Sequence, residues 1–137
     1  MNIDDLFSVD KEAFEDGKWF DLGPDSKIKM RSFKSPKAKA ARTRLELPYK
    51  SLLRTGKELP EDISEDIATK QMAEAIIVDW KGLSTDEGPL PKYSADYAYK
   101  FLSEKTEFRD YLAQILFDSD AFKSEDREQS FENLKNS

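Results

Sequence analysis

The sequence predicts a mainly α-helical domain carrying a small β-hairpin near its N-terminus. Three observations lead there. Apolar residues recur at three- and four-residue spacing through most of the chain from Ala38 to Phe122. One run, Lys27-Ile28-Lys29-Met30-Arg31, instead alternates basic with apolar residues, which is the period of a half-buried strand. Between these segments lie clusters of Gly, Pro, Ser and Asp, placed where elements must start, turn or stop. A chain of 137 residues fits one domain. We assign residues 1–122 to it and read 123–137, where only Phe131 and Leu134 are apolar, as a polar C-terminal tail.

Residues 1–16 hold Leu6, Val9, Ala13 and Phe14, enough for a short amphipathic helix that Gly17 interrupts. The hairpin is expected at about 19–33, with Gly23-Pro24-Asp25-Ser26 as its turn. Lys27, Lys29 and Arg31 then share one face and Ile28 and Met30 the other. Ser35-Pro36 reads as an N-cap followed by proline at the first helical position, and Ala38, Ala41, Leu45 and Tyr49 give that helix an apolar side. Pro48 should end it near Glu46 or Leu47. A short piece from Tyr49 to Thr55 stops at Gly56.

The next helix opens at Leu59-Pro60-Glu61-Asp62, with acids at its positive end. Its apolar side, Ile63, Ile67, Met72, Ala75, Ile76 and Val78, is expected to run on to Asp79-Trp80. Residues 81–92 contain two Gly and two Pro and read as a loop. Ser94 restarts the helix, with Tyr97, Ala98, Phe101 and Leu102 inward, and Thr106 caps a last helix through Phe108, Tyr111, Leu112, Ile115, Leu116 and Phe122.

Composition restricts the chemistry. The chain has neither cysteine nor histidine. Disulfides, thiolate nucleophiles and His-based triads are therefore closed, as are the commonest transition-metal sites. The 28 acidic residues leave carboxylate chemistry formally open. The pairs Glu61-Asp62, Glu65-Asp66, Asp86-Glu87 and Glu125-Asp126, however, lack calcium-loop spacing and fall at helix starts or in loops, where acids serve solubility. No catalytic residue, cofactor or metal is expected. No run of about 18 apolar residues is present, and the N-terminus is acidic where a signal peptide is basic. The expectation is no membrane contact and residence where the protein is made.

Charge is unevenly placed. Residues 1–26 hold eight acids against two lysines, residues 27–45 hold eight bases and no acid, and the rest holds twelve bases and twenty acids. The basic block fits either a phosphate footprint or a complementary protein surface. A net charge of −6 favours the protein surface and makes nucleic acid the alternative, a regulator binding through residues 27–45 with Lys37, Lys39 and Arg42 on a basic helix.

The most individual segment is Val78-Asp79-Trp80-Lys81-Gly82, followed by Asp86-Glu87-Gly88, Leu90-Pro91 and Tyr93-Ser94. Structurally it reads as a helix-loop-helix joint whose Trp80 packs across both helices; functionally, Trp80 and Tyr93 can also present an edge to a partner. In this order, with Trp19-Phe20 and the stretch Lys29 to Ala41 upstream, it resembles the tail assembly chaperones of long-tailed, siphovirus-type phages over residues 17–120.

The resemblance implies a small helical oligomer that binds and solubilises the tape measure protein and helps recruit tail tube protein around it. It implies no enzymatic activity, a place in the host cytoplasm and absence from the finished virion. Many members also have a longer form made by ribosomal frameshifting, and Leu134-Lys135-Asn136 can be encoded by a slippery A-AAA-AAC heptamer. The family carries no strict binding motif, so contact residues rest on patterning. Phe101, Phe108, Tyr111, Ile115, Phe117 and Phe122 exceed what one helix face needs. Phe117 and Tyr99 lie off the apolar stripes and, with Trp80, Tyr93, Lys37, Lys39 and Arg42, are the candidate protein-binding residues.

Overall fold

A computed structural model describes residues 1–2 and 15–119; the expected N-terminal helix before Glu15, Phe122 and the 123–137 tail lie outside them. Strands β1 (Lys18–Gly23) and β2 (Ser26–Met30) form the hairpin, closed by Pro24 and Asp25. Ile28 and Met30 are buried while Lys27 and Lys29 face away, as the alternation requires. Helix α1 (Pro36–Glu46) starts where Ser35 Oγ accepts from the Ala38 N–H, and buries Ala38 and Ala41. Pro48 converts the chain to a single 3₁₀ turn at Leu47–Tyr49, after which the five-residue helix α2 (Lys50–Arg54) runs to Gly56, whose φ of 76° suits a glycine.

Helix α3 (Glu61–Gln71) begins after Pro60 and carries Glu61 and Asp62 in its first turn. Its course then departs from expectation. The helix does not continue to Trp80; it widens into a π turn over Met72–Ile76, and residues Ile77–Lys81 become strand β3. β3 pairs antiparallel with β2, so the hairpin is two-thirds of a three-stranded sheet ordered β1-β2-β3. The physical reason is twofold. Ile76-Ile77-Val78 is a β-branched run, stiff at χ1 and better suited to a pleat than to a helix. β2 would otherwise leave its second edge unpaired, and the ladder Ile28↔Trp80 and Met30↔Ile77 satisfies it. The register shifts between Lys29 and Met30, leaving Val78 as a bulge.

The 81–92 loop contains its own two-residue ladder, β4 (Ser84–Thr85) against β5 (Gly88–Pro89). Helix α4 (Ala95–Glu104) is capped by Ser94, whose Oγ accepts from the Tyr97 N–H. The last helix, α5, covers residues 106–119. Thr106 is its first helical residue rather than its cap: the carbonyl of Lys105 accepts from the Phe108 and Arg109 N–H groups, so the backbone elbow at Lys105 starts the helix.

The helices pack on one face of the sheet around a core of Ile28, Met30, Met72, Ile76, Trp80, Leu102 and Leu112. The π turn is its hub, with four of five residues buried. Widening the helix frees carbonyls, and each finds a donor: Ala73 O accepts from the Tyr93 hydroxyl, Ala75 O from Arg31 Nη1 at 3.1 Å, and Ile76 O from the Arg31 N–H at 2.8 Å. Among the described residues no helix is long and apolar enough to cross a membrane.

Candidate protein-interaction site

The site grows out of the joint at Val78 to Ser94. β3 delivers Trp80 into the core, 5% exposed, where Nε1 donates to the Pro91 carbonyl at 2.9 Å. Three rings meet it edge-on: Tyr93 at 4.8 Å, Tyr97 at 6.1 Å and Phe101 at 6.2 Å between centroids. Phe101 passes the contact on to Phe108 across the α4–α5 elbow at 6.0 Å. Burial raises the Tyr93 hydroxyl well above the ordinary tyrosine range, with the Arg31 charge opposing, so it stays a neutral donor to the π turn.

Gly82 releases the chain from β3. Its φ is 73°, and a Cβ there would lie 1.9 Å from the carbonyl oxygen of Asp25 in the hairpin turn. Ser26 Oγ donates to the Gly82 carbonyl at 2.8 Å and locks the same approach. Leu90 N–H donates to the Leu83 carbonyl at 2.9 Å, so the β4–β5 ladder stands as a fixed wall over the start of α5.

Between that wall and the elbow lies a cleft of about 490 Å³. Its apolar lining is Leu83, Leu90, Phe101 and Phe108, the outer end of the ring chain that starts at Trp80. Its charged lining is Asp86, Glu104 and Glu107, against Lys105 alone. Glu104 ends α4 with no base in the last turn, so its charge adds to the negative end of the helix. Tyr111, 51% exposed, lies one turn along α5 from Glu107 and continues the surface beyond the cleft. An apolar floor under an acidic rim can seat an apolar side chain flanked by bases. Among the described residues no group of three or more carboxylates converges as a metal site would require.

The seven candidate residues are not gathered in one place. Trp80 and Tyr93 pack together and build the cleft from behind. Tyr99 turns toward α3, where its hydroxyl donates to Asp66, and Lys70 lies 5.6 Å over its ring and 3.2 Å from Asp66. That hydroxyl lowers the Asp66 carboxyl below its ordinary range, against the desolvation that opposes it and with help from Lys70. Phe117 stands 66% exposed on α5.

On α1, successive residues turn by about 100°, which puts Lys37 to one side of the buried alanines, Arg42 to the other and Lys39 behind. Arg42 pairs with Glu46 and Arg44 with Glu74. Other bases of the block scatter further: Lys27 sits 4.9 Å over the Trp19 ring on the outer sheet face, joined there at 5.0 Å by Lys81 from outside the block, and Arg31 serves the π turn. The +8 block of sequence is thus three neighbourhoods of structure. Sequence reasoning had Phe101, Phe108 and Asp86 in hand for other reasons; it missed that the loop folds back to meet the elbow, since no local pattern encodes that approach.

A family model described as YdaY prophage protein matches residues 33–136, from the end of the hairpin onward. No curated protein and no solved structure matches the chain.

Proposed function

The chain belongs to the YdaY prophage protein family, and from that premise we propose that it is a tail assembly chaperone, a self-associating protein that binds the tape measure protein and holds it soluble while tail tube subunits gather. The observation that carries the reading is the cleft, whose four apolar side chains and three acids suit docking of another polypeptide. The layout of the joint, with Trp80 buried behind the cleft and Tyr111 and Phe117 outward on α5, supports a surface made to grip helical clients. In this reading the protein carries no reaction and needs no cofactor, works in the host cytoplasm and leaves before the virion is complete.

The test is co-expression with the tape measure protein encoded in the same prophage. The expected result is a soluble complex that co-purifies, and a tape measure protein that precipitates when expressed alone. A tape measure protein equally soluble without this chain would sink the proposal. The nucleic-acid alternative through residues 27–45 is weakened by the dispersal of those charges and the pairing of Arg42 and Arg44. A mobility shift with steep salt dependence, abolished by Lys37→Glu with Lys39→Glu, would revive it.

A further inference from the structure

We infer that the acid-rimmed cleft receives the Leu47–Arg54 segment of a second copy of this chain, docked head to tail. The inference rests on reading the cleft as a protein-docking site, and it names the occupant. Its starting point is a segment the fold leaves without a core. Residues 47–54 contain Leu47, Tyr49, Leu52 and Leu53, yet neither the 3₁₀ turn nor α2 buries any residue, and Leu47 is 56% exposed. Leu47 stands exposed and Tyr49, Leu52 and Leu53 are only partly covered, so the segment carries more apolar surface than a helix this short and this peripheral needs.

The same segment is basic. From Leu47 to Lys57 the charges are Lys50, Arg54 and Lys57, with no acid. Lys50 and Arg54 are four residues apart and so share one side of α2 with Leu47 and Leu53; the one acid on this surface, Glu46, is paired with Arg42. This is the complement of the cleft, in which Glu104 and Glu107 lie across the elbow beside Asp86, over Leu83, Leu90, Phe101 and Phe108. Apolar meets apolar, and two bases meet a rim with a surplus of acids.

The two surfaces share no residue, so one copy offers its knob while its own cleft stays open to another. Such a contact is heterologous and propagates into a ring or a chain of subunits. Glu104, Glu107, Lys50 and Arg54 are all exposed, so charge reversal there should leave the fold intact.

The experiment uses the full chain and two variants, one carrying Glu104→Lys and Glu107→Lys, the other Lys50→Glu and Arg54→Glu. Light scattering after size exclusion should show the wild type associating, less so at high salt. Each variant alone should dissociate at concentrations roughly tenfold or more above those that dissociate wild type. Mixed in equal amounts they should associate again, because the wild-type knob of one meets the wild-type cleft of the other and the reversed knob and reversed cleft are once more opposite in charge. Leu47→Asp, exposed in the subunit, provides a second knob variant should either pair fail to fold.

A wild type that stays monomeric, variants that associate as wild type does, or a mixture that fails to pair would each overturn the proposal. Cleft variants that lose the tape measure protein with self-association unchanged would assign the cleft to the client and also overturn it. Intact self-association by this route without any tape measure binding would leave the docking mode standing and remove the chaperone function.

Discussion

At the residue scale, the strongest constraints sit where the backbone closes on itself. Gly82 has positive φ and no room for a Cβ beside the Asp25 carbonyl. Gly82→Ala should therefore destabilise by about 2 kcal/mol or more, since strain and clash act together; the midpoint of a denaturant melt measures it. The same substitution at Gly56, where nothing lies within 4 Å of a Cβ, should cost less, since φ of 76° supplies the only penalty. Tyr93 is a second such point. Its hydroxyl satisfies the Ala73 carbonyl, and burial raises its pKa above the usual tyrosine value. A neutral acid with a raised folded pKa contributes stability that is complete below about pH 10 and is lost as pH climbs toward the folded value. Followed by ultraviolet absorbance, Tyr93 should ionise only with unfolding, and Tyr93→Phe should cost about 1–2 kcal/mol at neutral pH while removing that alkaline step.

At the scale of elements, ties between helices are set by a few polar groups. Gln71 Nε2 donates to the Ala38 carbonyl at 2.8 Å and holds α3 to α1, while Arg109 Nη1 donates to Thr69 Oγ1 at 3.1 Å and holds α5 to α3. α4 meets α3 through Tyr99, Asp66 and Lys70. Because the Asp66 carboxyl is lowered in the fold, its contribution is present above the ordinary carboxylate range and fades as pH falls through the folded value. Tyr99→Phe should therefore be less stable than wild type at neutral pH, with the gap narrowing in acid; thermal melts across pH 2–7 decide it. A gap that is constant with pH would show that Tyr99 acts by packing alone.

Element boundaries also show what local sequence controls. Ser35, Pro48, Gly56 and Ser94 each start or stop an element where their chemistry predicts. Ile77 to Trp80 reads as helix in sequence because its apolar spacing fits both periods, and only the open edge of β2, more than forty residues away in sequence, decides for strand.

For the whole molecule, stability should be uneven. The segment from Leu47 to Thr55 has no fully buried residue and should exchange its amide hydrogens fastest among the described helices, whereas the π turn and α4 should exchange slowest. In the assembled state proposed above, protection should rise at Leu47–Arg54 and at the β4–β5 wall together. Exchange measured at two protein concentrations tests both statements, and a segment already protected in dilute solution would refute the first.

The sequence by itself determined the mainly helical class, the hairpin, the faces of its strands and most caps, because these follow from side-chain period and from the chemistry of Ser, Pro and Gly over a few residues. It also placed the Val78–Ser94 joint at the centre of interest. Tertiary structure alone decided three things: that β3 joins the hairpin, that the +8 block is dispersed over separate faces, and that the loop and the α4–α5 elbow enclose an acid-rimmed cleft. Each depends on contacts between residues distant along the chain. Those are fixed by the burial of Trp80 and by the edge that β2 leaves open, and no window of sequence contains both sides of such a contact.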